Sequence, residues 1–115
     1  EVLINCFLAQ SVGNWSLAVV SDGPSARAAE IVGKYGVSDA RVAFSSTAAF
    51  AGDHGHTPRR AGLAASVGEW TLLTGSDNYY VPLLVESVRR HARPDVGLLY
   101  FDFVLDMKGE YDAGA

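Results

Sequence analysis

Hydrophobic positions along the chain keep two rhythms, one of helices and one of short strands. Val2, Leu3, Cys6, Phe7 and Gln10 recur at helical spacing before Ser11-Val12-Gly13-Asn14, which predicts a helix over 1–11. Trp15 to Val20 is then a short apolar run with β-branched residues, and Ser21-Asp22-Gly23-Pro24-Ser25 after it is dense in turn formers, so the run reads as a strand ending in an Asp. Ser25 suits the N-cap of a helix from Ala26 to Lys34, with Ala28, Ala29, Ile31 and Val32 facing inward and Gly36 ending it. Arg41 to Phe44 predicts a second short strand. The polar stretch from Ser45 to Pro58 reads as a long loop, and Pro58 as the start of a helix through Val67, with Gly68 past its end. Trp70 to Thr74 is apolar and β-prone, as in a strand buried on both faces, and it stops at the turn-forming Gly75-Ser76-Asp77-Asn78. Leu83 to Ala92 is an amphipathic helix with Leu84, Val85 and Val88 inward and Arg89, Arg90 and His91 at the end that favours cations. Val96 to Leu105 predicts a last strand, from which Asp106 to Gly109 turn away.

Helices alternating with strands imply an α/β domain whose mostly parallel sheet carries helices on both faces. In such a sheet ligands sit outside the carboxyl ends of the strands, which puts Asp22, Asp77 and Asn78 where chemistry is expected. An α/β unit normally opens on a strand, whereas this chain begins in a helix. Residues 1–115 are therefore expected to form a single domain, incomplete at its first strand.

Composition narrows the function classes. With 49% hydrophobic and 19% charged residues the 115-residue chain has the balance of one globular domain with one core. Its nine Lys and Arg are dispersed and the formal charge is −4, which argues against a nucleic-acid surface. A single cysteine, Cys6, makes no internal disulfide and is expected to be a buried, inert thiol. That fits a reducing compartment, and with no leader pattern at the start the expected location is cytoplasmic. No apolar run has the length of a membrane span. His54 and His56 share a loop without a third ligand, a poor zinc site.

Three segments carry a family resemblance. Leu8 to Ser25 resembles the LxxQTxxNWELIVVDDGS pattern of family 2 glycosyltransferases. Pro58 to Trp70 is similar to that family's ARNxGIxxAxGEY segment, and Thr74 to Pro82 to its DxDDxxxP segment. The three stand in the family's order and at its spacing.

The resemblance implies a GT-A (Rossmann-like) fold and transfer of a sugar from a nucleotide-diphospho-sugar, chiefly a UDP-sugar, to an acceptor hydroxyl, saccharide or other. It implies that Asp22 accepts hydrogen bonds from the nucleobase, a role that suits a carboxylate facing an imide N–H. The residues alone allow equally that Asp22 supports its own turn. Arg59 corresponds to a family arginine near the donor diphosphate, Arg60 stands where the family usually has Asn, and Ser76 lies among the nucleotide-binding positions. Asp77 corresponds to a ligand for Mg²⁺ or Mn²⁺, ions that take oxygen ligands and draw several of them from phosphate and water. The family's first acidic position is Gly75 here, so Asp77 is a lone acid, and a plain turn is its alternative reading. Asn78 and Asp102 are candidates for donor or acceptor contacts, and no residue matches the family's catalytic base.

Two other readings compete. One is a non-catalytic interaction or nucleotide-binding module that keeps the scaffold and pairs an exposed sheet edge with another chain, giving a homo-oligomer. The other is a phospho-receiver using Asp22, which lacks the acidic neighbours such a site needs.

Overall fold

The first helix, α1 (Val2–Leu8), stops earlier than its spacing predicts, because Ala9 turns to φ −88° and ψ 3° and leaves Gln10 outside the helix. Its Leu3, Ile4, Cys6 and Phe7 are buried, and the buried thiol agrees with the expectation from its apolar surroundings. The computed structural model describes residues 1–104. Strand β1 (Leu17–Ser21) follows, then α2 (Ala26–Ser38), β2 (Val42–Ser46), α3 (His56–Ala65) and α4 (Leu84–His91).

Each element has a local cause. Ser25 caps α2 as its residue type suggests, its Oγ accepting from the Ala28 N–H at 3.2 Å. The helix runs through Gly36 to Ser38 instead of ending before it. A Cβ on Gly36 would lie 3.0 Å from the Val42 carbonyl oxygen, so the glycine serves the close passage of α2 over β2. Pro58 is buried at the third position of α3, where its missing N–H has no partner to lose inside the helix. The helix thus starts two residues before that proline and closes at Ala65, two residues short of Val67.

The two strands pair in parallel, Leu17 beside Val42 through Ser21 beside Ser46. Side chains alternate along a strand, so Leu17 and Val19 share one face with Val42 and Phe44. On that face they meet Leu3, Ile4 and Phe7 of α1, Val32 of α2 and Leu84 of α4 in one apolar core. On the other face of β1, α3 packs against Val20, which a Cβ on Gly62 would touch at 3.4 Å, while Ala18 stays exposed. Val85 and Val88 of α4 pack against the core, as its inward face requires.

Two expected strands are not formed among the described residues. Trp70 to Thr74 runs without a ladder, leaving Leu72 43% and Leu73 52% exposed. The expected strand Val96–Leu105 is likewise unpaired over 96–104, with Tyr100 and Phe103 exposed. An apolar β-prone run meets the side-chain needs of a buried strand, but the backbone also needs a neighbour to bond, and composition is silent on that neighbour. Leu105 and the turn Asp106–Gly109 lie outside the described residues. No helix among those described is long and apolar enough to cross a membrane.

Candidate functional site

At the carboxyl end of β1 the chain turns on Ser21-Asp22-Gly23. Ser21 Oγ donates to the Gly23 carbonyl at 2.6 Å, and the Gly23 N–H donates to Thr47 Oγ1 at 2.7 Å, which ties the ends of the two parallel strands together. Gly23 has φ +80°, and a Cβ there would lie 2.9 Å from the Phe50 nitrogen. Only glycine accepts both the left-handed backbone and that approach.

Asp22, half-buried, does something its own turn does not require. One carboxylate oxygen accepts the Ala51 N–H at 2.8 Å and the other the Gly52 N–H at 3.0 Å, so it bonds the loop that follows β2. Those two amides belong to the site, and nothing in their residue types announces them.

The same loop runs into α3. Asp53 caps that helix: its carboxylate accepts from Thr57 Oγ1 at 2.6 Å and from the Thr57 N–H at 3.0 Å. The Thr57 hydroxyl, then its N–H, hold the Asp53 carboxyl below the usual range. An Asp shortly before a first-turn proline is a recognisable start signal, and it marks His56, not Pro58, as the beginning of α3. The His56 N–H bonds the Asp53 carbonyl, the Arg59 N–H bonds the Gly55 carbonyl, and Pro58 has none. The first turn of α3 therefore offers an anion no free backbone donor, and what can reach one is the Arg59 guanidinium. Its Nη1 donates to the His54 carbonyl at 2.8 Å, which leaves the other nitrogens for a further partner. Arg60 is exposed.

Asp22 and Arg59 are thus joined through one loop, the first at Ala51 and Gly52 and the second at His54. Ser76, Asp77 and Asn78 stand in a second turn. Thr74 Oγ1 accepts from Asn78 Nδ2 at 3.0 Å and from the Tyr80 hydroxyl at 2.7 Å, and it donates to the Gly75 carbonyl at 3.1 Å. Asn78, though exposed, closes this turn through its Nδ2. Asp77 is exposed, and a Cβ on Gly75 would come within 2.8 Å of its Oδ1, so the glycine leaves room for that carboxylate over the turn. Ser76 and Asp102 are exposed.

The donor set at Asp77 is a hard oxygen with no hydrogen bond to it among the described residues, which suits a magnesium or manganese ion that draws its remaining ligands from phosphate and water. No group of three His, Cys, Asp or Glu gathers there or elsewhere among those residues. An ion held there would have Asp77 as its single carboxylate ligand, since the neighbouring Asn78 turns its Nδ2 to Thr74.

Tyr80 packs its ring on Phe7 with centroids 5.8 Å apart, while Tyr79 is 67% exposed. Comparison of the chain with protein-family models, with curated proteins and with solved structures finds no match.

Proposed function

We propose that the chain is the nucleotide-binding part of a glycosyltransferase with a GT-A sheet, taking a UDP-sugar with Mg²⁺ or Mn²⁺ and passing the sugar to an acceptor hydroxyl. The observation that carries this reading is the half-buried carboxylate of Asp22 at the carboxyl end of a parallel strand, joined by one loop to the guanidinium of Arg59. In parallel α/β sheets that end of the strands is where nucleotides are held. A carboxylate there accepts the imide N–H of a uracil ring, and a guanidinium meets a diphosphate. Asp77 supplies the metal with one carboxylate, which is sufficient when phosphate oxygens and water complete the shell.

Calorimetric titration with UDP and Mn²⁺ tests this. The expected result is heat of binding in the parent, loss of it in Asp22→Ala, and loss of its Mn²⁺ dependence in Asp77→Ala. A parent that gives no heat overturns the reading.

A second reading, an interaction module, is favoured by a different observation. Leu98 at 79%, Tyr100 at 90% and Phe103 at 76% exposure put large apolar side chains into water along one segment. Sedimentation separates the two: a monomer at micromolar concentration counts against self-association.

A further inference from the structure

We propose that Asp22 is the catch of a latch: in the ligand-free chain its carboxylate holds the loop between Thr47 and Gly55 across the end of β1, and a ligand bringing N–H donors to that carboxylate releases the loop. The identity of that ligand rests on the nucleotide reading above, whereas the catch itself rests on the geometry of the loop.

The loop is tied down at few points. Thr47 anchors its start, through its N–H to the Ser21 carbonyl at 3.0 Å and its hydroxyl to the Gly23 N–H. Asp53 and Arg59 fasten its end to α3. Between these anchors, among the described residues, the only hydrogen bonds from the loop to the strand end are the Ala51 and Gly52 N–H groups on Asp22. Apolar burial adds little, because the Phe50 side chain is 77% exposed and Ala51 and Gly52 are exposed as well. The far half also carries pivots: Gly52 at φ 64°, His54 at φ 58° and Gly55 at φ 83°. A left-handed residue that is not glycine, such as His54, is held there by its surroundings and relaxes when they let go.

The same two oxygens serve loop and ligand. An imide N–H entering the strand end meets two oxygens that already accept the Ala51 and Gly52 N–H groups, under a loop whose Phe50 backbone lies close over Gly23, so loop and ligand contend for one approach to the carboxylate, with bonds of one kind, amide N–H to carboxylate. Exchange of one for the other costs little enthalpy, so the ligand's remaining contacts decide the balance, and the loop opens as the site fills. Asp22 acts on the loop as a positioning residue.

Amide hydrogen exchange followed by NMR tests the latch in the parent, Asp22→Asn and Gly23→Ala. Asp22→Asn keeps the shape and removes the charge. Gly23→Ala keeps the carboxylate and drives a Cβ against the Phe50 backbone, so it displaces the loop without altering the catch and gives the exchange rates of a released loop for comparison. In both variants the Ala51 and Gly52 amides are expected to exchange about tenfold faster or more, since a charge-assisted bond is lost. The Leu17 amide, bonded to the Arg41 carbonyl, keeps its parent rate. UDP with Mn²⁺ added to the parent is expected to speed Ala51 and Gly52 in the same way. Unchanged rates at both positions in Asp22→Asn overturn the catch. Binding heat from UDP with unchanged rates at Ala51 and Gly52 overturns the release while the nucleotide reading stands. No heat, together with fast exchange in Asp22→Asn, overturns the nucleotide reading while the catch stands.

Discussion

The guanidinium of Arg41 has three partners. Its Nε donates to Asp39 Oδ1 at 2.9 Å, its Nη1 to the Gly13 carbonyl at 3.3 Å, and its carbon lies 3.9 Å from the centre of the Trp15 ring. Trp15 in turn tilts against Phe7 at 5.6 Å, so a charged residue at the surface is continuous with the core. Side-chain and then backbone bonds from Arg41 lower the Asp39 carboxyl to about 2. Its folded value lies below the unfolded one of roughly 3.9, so its contribution to stability is complete above that value and is lost as pH falls toward 2. The urea midpoint of the parent is expected to decline across that window, and Arg41→Ala, lower at pH 7, to decline less steeply there. A parallel decline in both proteins would show that Asp39 has no part in it. None of this was legible beforehand: Arg41 reads as the start of a strand, and its pairing two residues back follows from the bend between α2 and β2. Asp22 is a middle case. Its place at a strand end could be read from the turn formers after it, but its partners are backbone amides 29 and 30 residues away, which have no signature in residue type.

Among elements, α4 shows how an unpromising helix start is completed from elsewhere. Its own N-cap, Leu83, has no side-chain acceptor, and the missing acceptor is Gln10 Oε1, which takes the Val85 N–H at 2.9 Å. The Nε2 of the same side chain donates to Val81 and Cys6 carbonyls at 2.8 and 3.1 Å, and the next residue adds its N–H to the Pro82 carbonyl at 2.8 Å. Gln10 is therefore a clip between the end of α1 and the start of α4, which explains why α1 ends before it. Gln10→Ala is expected to destabilise the protein by about 1 kcal/mol, the usual cost of losing a helix cap. Urea unfolding measures it, and a change below a few tenths of a kcal/mol would remove the clip from the account of α4. Helical spacing placed Gln10 within a helix over 1–11, whereas it stands past the end of α1, where its side chain bonds the Val81 carbonyl and the Val85 N–H. The helices α2 and α4 and the strands β1 and β2 were legible because the apolar residues of each match one period and reach the common core. Trp70 to Thr74 looks the same on paper and forms no ladder, since a strand is defined by its partner.

For the whole molecule, the core is drawn from both ends of the described chain and leaves out the stretch between. Leu84 of α4 joins Leu3, Phe7, Leu17, Val32 and Val42, with Tyr80, Val85 and Val88 packed around them. No residue between Ser66 and Tyr79 belongs to that core or packs on it. The alternation of helices and strands made the α/β class legible. That residues 66–79 would cross the surface without adding a layer was not, because Trp70, Leu72 and Leu73 have the hydrophobicity of core residues. What they lack is a surface to pack on.

The clip at Gln10 bears on covalent continuity. A protease acting on Glu69 or on exposed Leu72 and Leu73 cuts where no core contact is made, and the piece carrying α4 stays seated through Gln10, Tyr80 and Leu84. The nicked protein is expected to elute as one species on gel filtration and to part into two bands only in denaturant. In Gln10→Ala the same cut releases the α4 piece more readily. Two separate peaks from the nicked parent would mean that the peptide linkage, and not the packing across α1, keeps α4 in place. The chain then behaves as two complementary halves whose connecting strap is dispensable once they have met.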